Sequence, residues 1–266
     1  MILGVIGCGA VGRKVVDSVL GMRGIEHVHI YDQDEEKVKP LLGDRVSSVP
    51  PEEMGDVCDL VLEAASPEAV IAYVPGIVAA GTDVIVMSVG ALMDRTFREE
   101  LMSTASKSGA KVIVPSGAIC GLDGMLSSAV GDLFSVVLTT VKNPASISAT
   151  EEFIRERGMD PSDVRERTLV FEGTPEEAVR YFPRNVNVAA ALTLAVGGKI
   201  KPLIRVYVDP EETRNVHEIV LEGEVGRITL TLDNLPSEEN PKTSKLAVYS
   251  AVATIEKYLA DLVIGT

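Results

Sequence analysis

The sequence predicts an α/β chain, a doubly wound parallel sheet followed by a second unit of α+β type. Three observations predict it. Ile2–Ile6 is an all-apolar run, as expected for a parallel strand buried on both faces. Strand-like and helix-like segments then alternate as far as Pro115. Beyond Pro115 the strands lengthen and alternate apolar with polar residues, the pattern of a largely antiparallel sheet with one solvated face.

In the first half, the strand Ile2–Ile6 leads through a glycine turn into a helix of about ten residues from Ala10. Val28–Tyr31 reads as the second strand and Asp59–Ala64 as another. Ser66-Pro67-Glu68 then starts a helix with an N-cap serine and a proline at the first helical position. Val84–Ser88 and Lys111–Val114 read as further buried strands, with a polar helix Arg95–Ser106 between them. In the second half, Phe134–Val141, Leu203–Val208, His217–Glu222 and Arg227–Leu232 read as strands, the last two joined by a hairpin at Glu224-Val225-Gly226. Helices are expected near Pro175–Tyr181 and Asn187–Val196, and Glu151–Arg167 reads as a solvated helix and turn. Ser244–Leu262 has helical periodicity. The expected domains are therefore 1–117, with the segment 243–266 packing back on it, and 118–242.

Composition narrows the function. A formal charge of −14 over 266 residues, without a basic cluster, argues against nucleic acid or an anionic membrane as partner. Val70–Met93 is nearly all apolar, but Pro75, three glycines and Asp83 interrupt it, so it reads as helix, turn and strand rather than a membrane span. Three cysteines, Cys8, Cys58 and Cys120, form no closed disulfide framework and have no metal-type spacing, so no metal is expected. With no basic segment before the first strand, a cytoplasmic protein is expected.

The sharpest motif is Gly7-Cys8-Gly9-Ala10-Val11-Gly12, which matches G-x-G-x-x-G. It follows a buried strand, opens a helix, and has Asp32 twenty residues beyond Gly12 at the end of the next strand. That context is the dinucleotide-binding βαβ of a Rossmann domain. Gly7 permits the tight turn, Gly9 the close approach of a pyrophosphate, and Gly12 the packing of helix on strand. The amides at Ala10 and Val11 open a helix whose N-terminal dipole favours phosphate. A carboxylate at Asp32 accepts from the adenosine ribose and repels a 2′-phosphate, and neither Gln33 nor Asp34 supplies an arginine to reverse that. NAD is expected as cofactor, with NADP less favoured.

At Ser116-Gly117-Ala118-Ile119 and at Phe182-Pro183-Arg184-Asn185-Val186-Asn187-Val188-Ala189-Ala190 the sequence resembles the L-aspartate dehydrogenase family. The likeness continues at Glu63-Ala64-Ala65-Ser66, Val216-His217-Glu218 and Glu239-Asn240-Pro241-Lys242-Thr243-Ser244, so it spans almost the whole chain. The resemblance implies a Rossmann domain joined to a substrate domain like those of glyceraldehyde-3-phosphate dehydrogenase and dihydrodipicolinate reductase. It implies oxidation of L-aspartate to iminoaspartate, which yields oxaloacetate and ammonia or feeds quinolinate for pyridine nucleotide biosynthesis, in a homodimer. It carries Ala118 and Asn187 over as cofactor contacts and His217 as the catalytic residue.

The chemistry points to His217 as well. Oxidising an amino acid at its α-carbon needs an unprotonated amine, and imine hydrolysis needs an activated water. Both steps want a base that titrates near neutrality. Of the three histidines, His27 and His29 lie on the second strand near the adenosine end, which leaves His217. A dicarboxylate substrate also wants cations and donors, for which Lys242, Thr243 and Ser244 form a compact trio and Asn185 and Arg184 are further candidates. The trio is read equally well as a helix cap beside a solvated lysine. Two rival functions have different requirements. A semialdehyde dehydrogenase needs Cys120 as a nucleophile paired with His217, and a nucleotide-sensing module needs no base at all.

Overall fold

Residues 1–183, 187–238, 240 and 243–265 are described by the computed structural model of the chain. They fall into two compact units, Met1–Pro115 with Val248–Val263, and Ser116–Ala247 with the last few residues.

In the first unit the apolar run becomes β1 (Ile2–Ile6), followed by α1 (Ala10–Val19) and β2 (His27–Tyr31). A single turn α2 (Glu35–Val38), a short β3 (Val46–Ser48) and a second turn α3 (Met54–Val57) lead to β4 (Leu60–Glu63). Then come α4 (Pro67–Ala79), β5 (Asp83–Val86), α5 (Arg95–Ser108) and the two-residue β6 (Val112–Ile113). All six strands are parallel in the order β3-β2-β1-β4-β5-β6. The order reverses between β1 and β4, and the carboxyl ends of strands at such a point form the ligand crevice of doubly wound folds. The helix α4 starts as its sequence dictates, with Ser66 Oγ accepting from Ala69 N–H at 3.3 Å and Pro67 next. The apolar stretch from Val70 resolves into α4, β5 and a 3₁₀ turn, and no helix among the described residues is long and apolar enough to cross a membrane.

Two expectations for this unit shift. The strand expected at Val84–Ser88 stops at Val86, and the short β3 has too few residues to give a periodic signal. Leu3 and Val5 of β1, Val15, Val16 and Val19 of α1, and Ala251 and Ile255 of the C-terminal helix (Lys245–Leu259) share one buried core.

The second unit contains α6 (Leu122–Ser128), β7 (Leu133–Lys142), α7 (Glu151–Arg157), β8 (Thr168–Gly173), α8 (Pro175–Tyr181) and α9 (Asn187–Ala195). Three more strands follow, β9 (Leu203–Val208), β10 (Asn215–Gly223) and β11 (Gly226–Asn234). The sheet order is β11-β10-β7-β9-β8. It is largely antiparallel, as expected, with one parallel pairing, β9 to β7. The solvated reading of Glu151–Arg167 also needs correction. Phe153 of α7 is fully buried and stacks on Phe182 and Tyr181, and Pro161 and Val164 are buried too. The charges of α7 occupy its outer face, where Arg180 pairs with Glu152 and Glu156.

Candidate active site

The cofactor cleft is built by the first βα turn. Gly7 has φ of +98°, and an added Cβ would stand 2.7 Å from Ala64 O, so only glycine serves there. Its N–H donates to Tyr31 O at 2.7 Å, tying the turn to the end of β2. Gly9 precedes α1 with no side-chain cap, and the first intrahelical bond is Arg13 N–H to Gly9 O. The amides of Ala10, Val11 and Gly12 are thus unclaimed by the helix itself. At Gly9 a Cβ would meet nothing within 4 Å, which leaves the loop open on the side where a pyrophosphate would lie.

Asp32 follows β2. Its Oδ2 accepts from Cys8 N–H at 2.8 Å and its Oδ1 from Asp34 N–H at 2.9 Å, so this carboxylate also fastens the glycine loop. Each oxygen keeps acceptor capacity for a ribose hydroxyl. Lys37, which sequence reading did not single out, stands 3.6 Å from Asp32 Oδ1. Burial and the neighbouring Asp32 push the Cys8 thiol up to about 11, so it is an inert group in the loop.

Glu63, at the end of β4, is wholly buried. Its carboxyl accepts from the amides of Ala65 (2.8 Å), Ser66 (3.0 Å) and Ser88 (3.0 Å) and from the Ser88 hydroxyl (2.8 Å). Burial raises its pKa against the opposing pull of those bonds. Glu63 therefore holds the Ala64–Ser66 turn and ties it to Ser88, two residues beyond the end of β5. Gly7, Gly9, Asp32, Lys37, Ala65 and Ser66 are among the walls of one open cleft of about 250 Å³. An open glycine loop, unclaimed amides and a ribose acceptor make this cleft fit NAD. His27 and His29 are accounted for otherwise, since both rings bond Ser47 Oγ, at 2.9 and 2.8 Å.

In the second unit the antiparallel register sets His217 of β10 opposite Thr140 of β7. Thr140 Oγ1 and His217 Nδ1 are 3.0 Å apart, and both residues are buried. Burial, aided by the Lys142 charge, pushes the imidazole down to about 3, so His217 does not titrate near neutrality as expected of it from the sequence but is neutral throughout the working range. Lys142 lies two residues beyond Thr140 on the same face. Its Nζ donates to Asn215 Oδ1 at 3.3 Å, and burial lowers it to about 8. Ala118 O accepts from Asn234 Nδ2 at 2.7 Å, which fixes the loop before α6, and Asn187 begins α9. Ser244 is buried, and its Oγ accepts from Ala247 N–H at 3.1 Å as the cap of the C-terminal helix. Thr243 makes turn bonds through its backbone, N–H to Asn240 O and carbonyl from Ser237 N–H. Arg184, Asn185 and Lys242 lie outside the described residues. Cys120 is exposed, and the ring of His217 bonds Thr140 instead, so the pairing that a thioester mechanism needs has no support.

Comparison with known proteins agrees with this geometry. Residues 123–258 match the family model described as aspartate dehydrogenase, C-terminal, and residues 7–115 match that described as homoserine dehydrogenase, NAD binding domain. An L-aspartate dehydrogenase of Methanosarcina barkeri is 42% identical over 271 residues, covering 99% of both chains. The chain belongs to the L-aspartate dehydrogenase family. Its relative from Methanothermobacter thermautotrophicus is 39% identical over 269 residues, covering 100% of this chain and 99% of the relative. The crystal structure of aspartate dehydrogenase from Thermotoga maritima superposes with a TM-score of 0.77 at 30% identity, covering 100% of this chain and 99% of that one. As a member of the L-aspartate dehydrogenase family the protein is an enzyme with an NAD-binding domain.

Three groups around these sites were missed by sequence reasoning: Lys37, Thr140 and Lys142. For Lys142 a signal was available. It occupies an inward position of a strand whose other inward residues begin Val136 and Leu138, and a lysine there has to be compensated.

Proposed function

We propose that the protein catalyses the NAD-dependent oxidative deamination of L-aspartate to iminoaspartate, which hydrolyses to oxaloacetate and ammonia. The family membership supports the substrate, and the observation that carries the chemistry is a buried, neutral imidazole at His217 held by Thr140. In the tautomer whose Nδ1–H donates to the Thr140 hydroxyl, Nε2 presents its lone pair, as a general base requires. His217 takes a proton from the substrate ammonium, so that the nitrogen lone pair can form the C=N bond as the α-hydrogen leaves with its electrons. Bound NAD supplies the hydride acceptor. Once that proton has passed to solvent, the imidazole is neutral again and draws a proton from the water that adds to the imine. We extend the reading to a homodimer whose product feeds quinolinate and so pyridine nucleotide biosynthesis, as the family resemblance implies, and to a cytoplasmic setting, which the three unpaired cysteines support.

The test is spectrophotometric. NADH formation with L-aspartate, L-glutamate and L-alanine should give a kcat/KM clearly highest for aspartate, and an equal or better value for either of the others ends the substrate assignment.

Cofactor preference follows from the Asp32 bonds. Asp32→Ala removes a ribose acceptor, the fastening of Cys8 N–H and a charge that repels a 2′-phosphate, while leaving Lys37 beside the same position. The KM for NAD should rise about tenfold, in line with losing charge-assisted hydrogen bonds, and the use of NADP relative to NAD should improve. An unchanged NAD/NADP ratio would place the ribose elsewhere.

A further inference from the structure

We propose that Lys142 is an anchor for a carboxylate of the substrate, held in the same buried polar patch as His217. The inference rests on the deamination reading above for the identity of the ligand. Its physical basis is the placement of one unpaired charge.

The inward face of β7 reads Val136, Leu138, Thr140, Lys142, and the matching face of β10 reads Leu221, Ile219, His217, Asn215. Both faces are apolar along most of their length and become polar at the same end. There the four side chains couple in two pairs, Thr140 with His217 and Lys142 with Asn215. All four are buried, with exposures of 7% for Thr140, 6% for Lys142, 4% for Asn215 and 3% for His217. An ammonium has three protons to place, and Asn215 Oδ1 is the one acceptor it finds among the described residues. No described carboxylate lies within ion-pair distance of it. Every other lysine or arginine that makes an ion pair here does so near the surface.

A buried cation without a counter-charge is unfavourable, and a ligand carboxylate would supply the missing charge. Lys142 and Thr140 are also the two polar side chains on the wall of a small, otherwise apolar cavity of about 20 Å³, lined by Leu138, Phe182 and Val206 among others. Thr140 is thus common to the cavity wall and to the His217 hydrogen bond. A substrate carboxylate there meets an ammonium that is otherwise unpaired, in an environment where the attraction is little screened. The same contact would cancel the Lys142 charge that disfavours protonation of His217. One carboxylate contact would therefore both hold the substrate and strengthen the base.

The probe is succinate, which has two carboxylates and no amine to oxidise. In Lys142→Met, the KM for L-aspartate and the Ki for succinate should rise together by about ten- to a hundredfold, the usual effect of losing a charge-assisted contact. The Kd for NADH should stay unchanged, and kcat should fall much less than KM rises. Asn215→Asp gives a second, independent reading, because it puts a carboxylate at the position 3.3 Å from Nζ and satisfies the lysine from within. It should weaken succinate as Lys142→Met does, and it decides the matter if Lys142→Met fails to fold. If either folded variant keeps the wild-type KM and Ki, the anchor is overturned while aspartate turnover by the wild type still supports the deamination reading. If the wild type leaves aspartate untouched yet binds succinate in a Lys142-dependent way, the anchor stands and the substrate assignment falls.

Discussion

His217→Ala should lower kcat by about 10² to 10⁴, the range expected on losing a positioned general base. The Kd for NADH should be unaffected, because the glycine loop, Asp32 and Glu63 belong to the other compact unit. The distinguishing variant is His217→Asn, which keeps a hydrogen-bonding side chain opposite Thr140 and removes the basicity. It should be nearly as impaired as the alanine variant, and near wild-type kcat in His217→Asn would reduce His217 to an orienting group. Thr140→Val removes the partner of Nδ1 while leaving the ring in place. A smaller loss, about tenfold in kcat with KM little changed, is expected there, since the tautomer is no longer held.

The pH profile follows from the same burial. An unperturbed histidine would give kcat/KM an acid limb near pH 6.5. Burial, with Lys142 second, holds His217 down at about 3, and the groups facing it are the uncharged Thr140 and Asn215 and the cation Lys142. A group whose folded pKa is depressed remains unprotonated until the pH falls through that lower value. His217 of the free enzyme should therefore contribute no limb to kcat/KM between about pH 5 and 7. The unfolded chain, by contrast, takes up a proton on this residue as the pH falls through about 6.5, so the buried neutral ring makes stability fall with acidity below that point. A kcat/KM limb at pH 6 to 7 that disappears in His217→Asn would show that the ring is far better solvated than its 3% exposure implies.

How much of this was legible in the sequence depended on whether a signal was local. The glycine loop, the N-cap at Ser66 and the strands Ile2–Ile6 and Leu203–Val208 are set by neighbouring residues, and their boundaries agree with the fold. The largely antiparallel character of the second sheet was legible, but its one parallel pairing was not, because setting β9 parallel to β7 is a long-range choice that alternation along one strand does not encode. The same holds for Phe153, which reads as one aromatic in a charged stretch until the cluster with Tyr181 and Phe182 is assembled. At the candidate site, His217 was singled out by elimination and resemblance. Thr140 and Lys142 become its neighbours only through the β7–β10 register. Ser244 shows the opposite case, for its position just before a helix already offered the capping role its hydroxyl fills.

Gly12→Ala should abolish measurable NAD binding and destabilise the protein at once. A Cβ built on Gly12 stands 1.8 Å from Gly7 O and 3.2 Å from Val5 Cγ1, far inside contact distance. Gly7 cannot yield. Its positive φ, its N–H bond to Tyr31 O and the nearby Ala64 carbonyl fix it from three directions. The methyl group must therefore push the start of α1 away from β1, and Val15, Val16 and Val19 leave their places in the core with it. Overpacking of this kind costs about 1–3 kcal/mol or more, so a fall in Tm of several degrees should accompany at least a hundredfold rise in the Kd for NADH. Gly9→Ala separates the two effects. Its Cβ meets no protein atom within 4 Å, so the Tm should stay at the wild-type value. NADH affinity should nonetheless fall by about tenfold or more, because the added methyl occupies the approach of the pyrophosphate. If Gly12→Ala binds NADH normally, the helix does not need to meet the strand this closely. If Gly9→Ala binds it normally, the pyrophosphate does not cross the loop at Gly9.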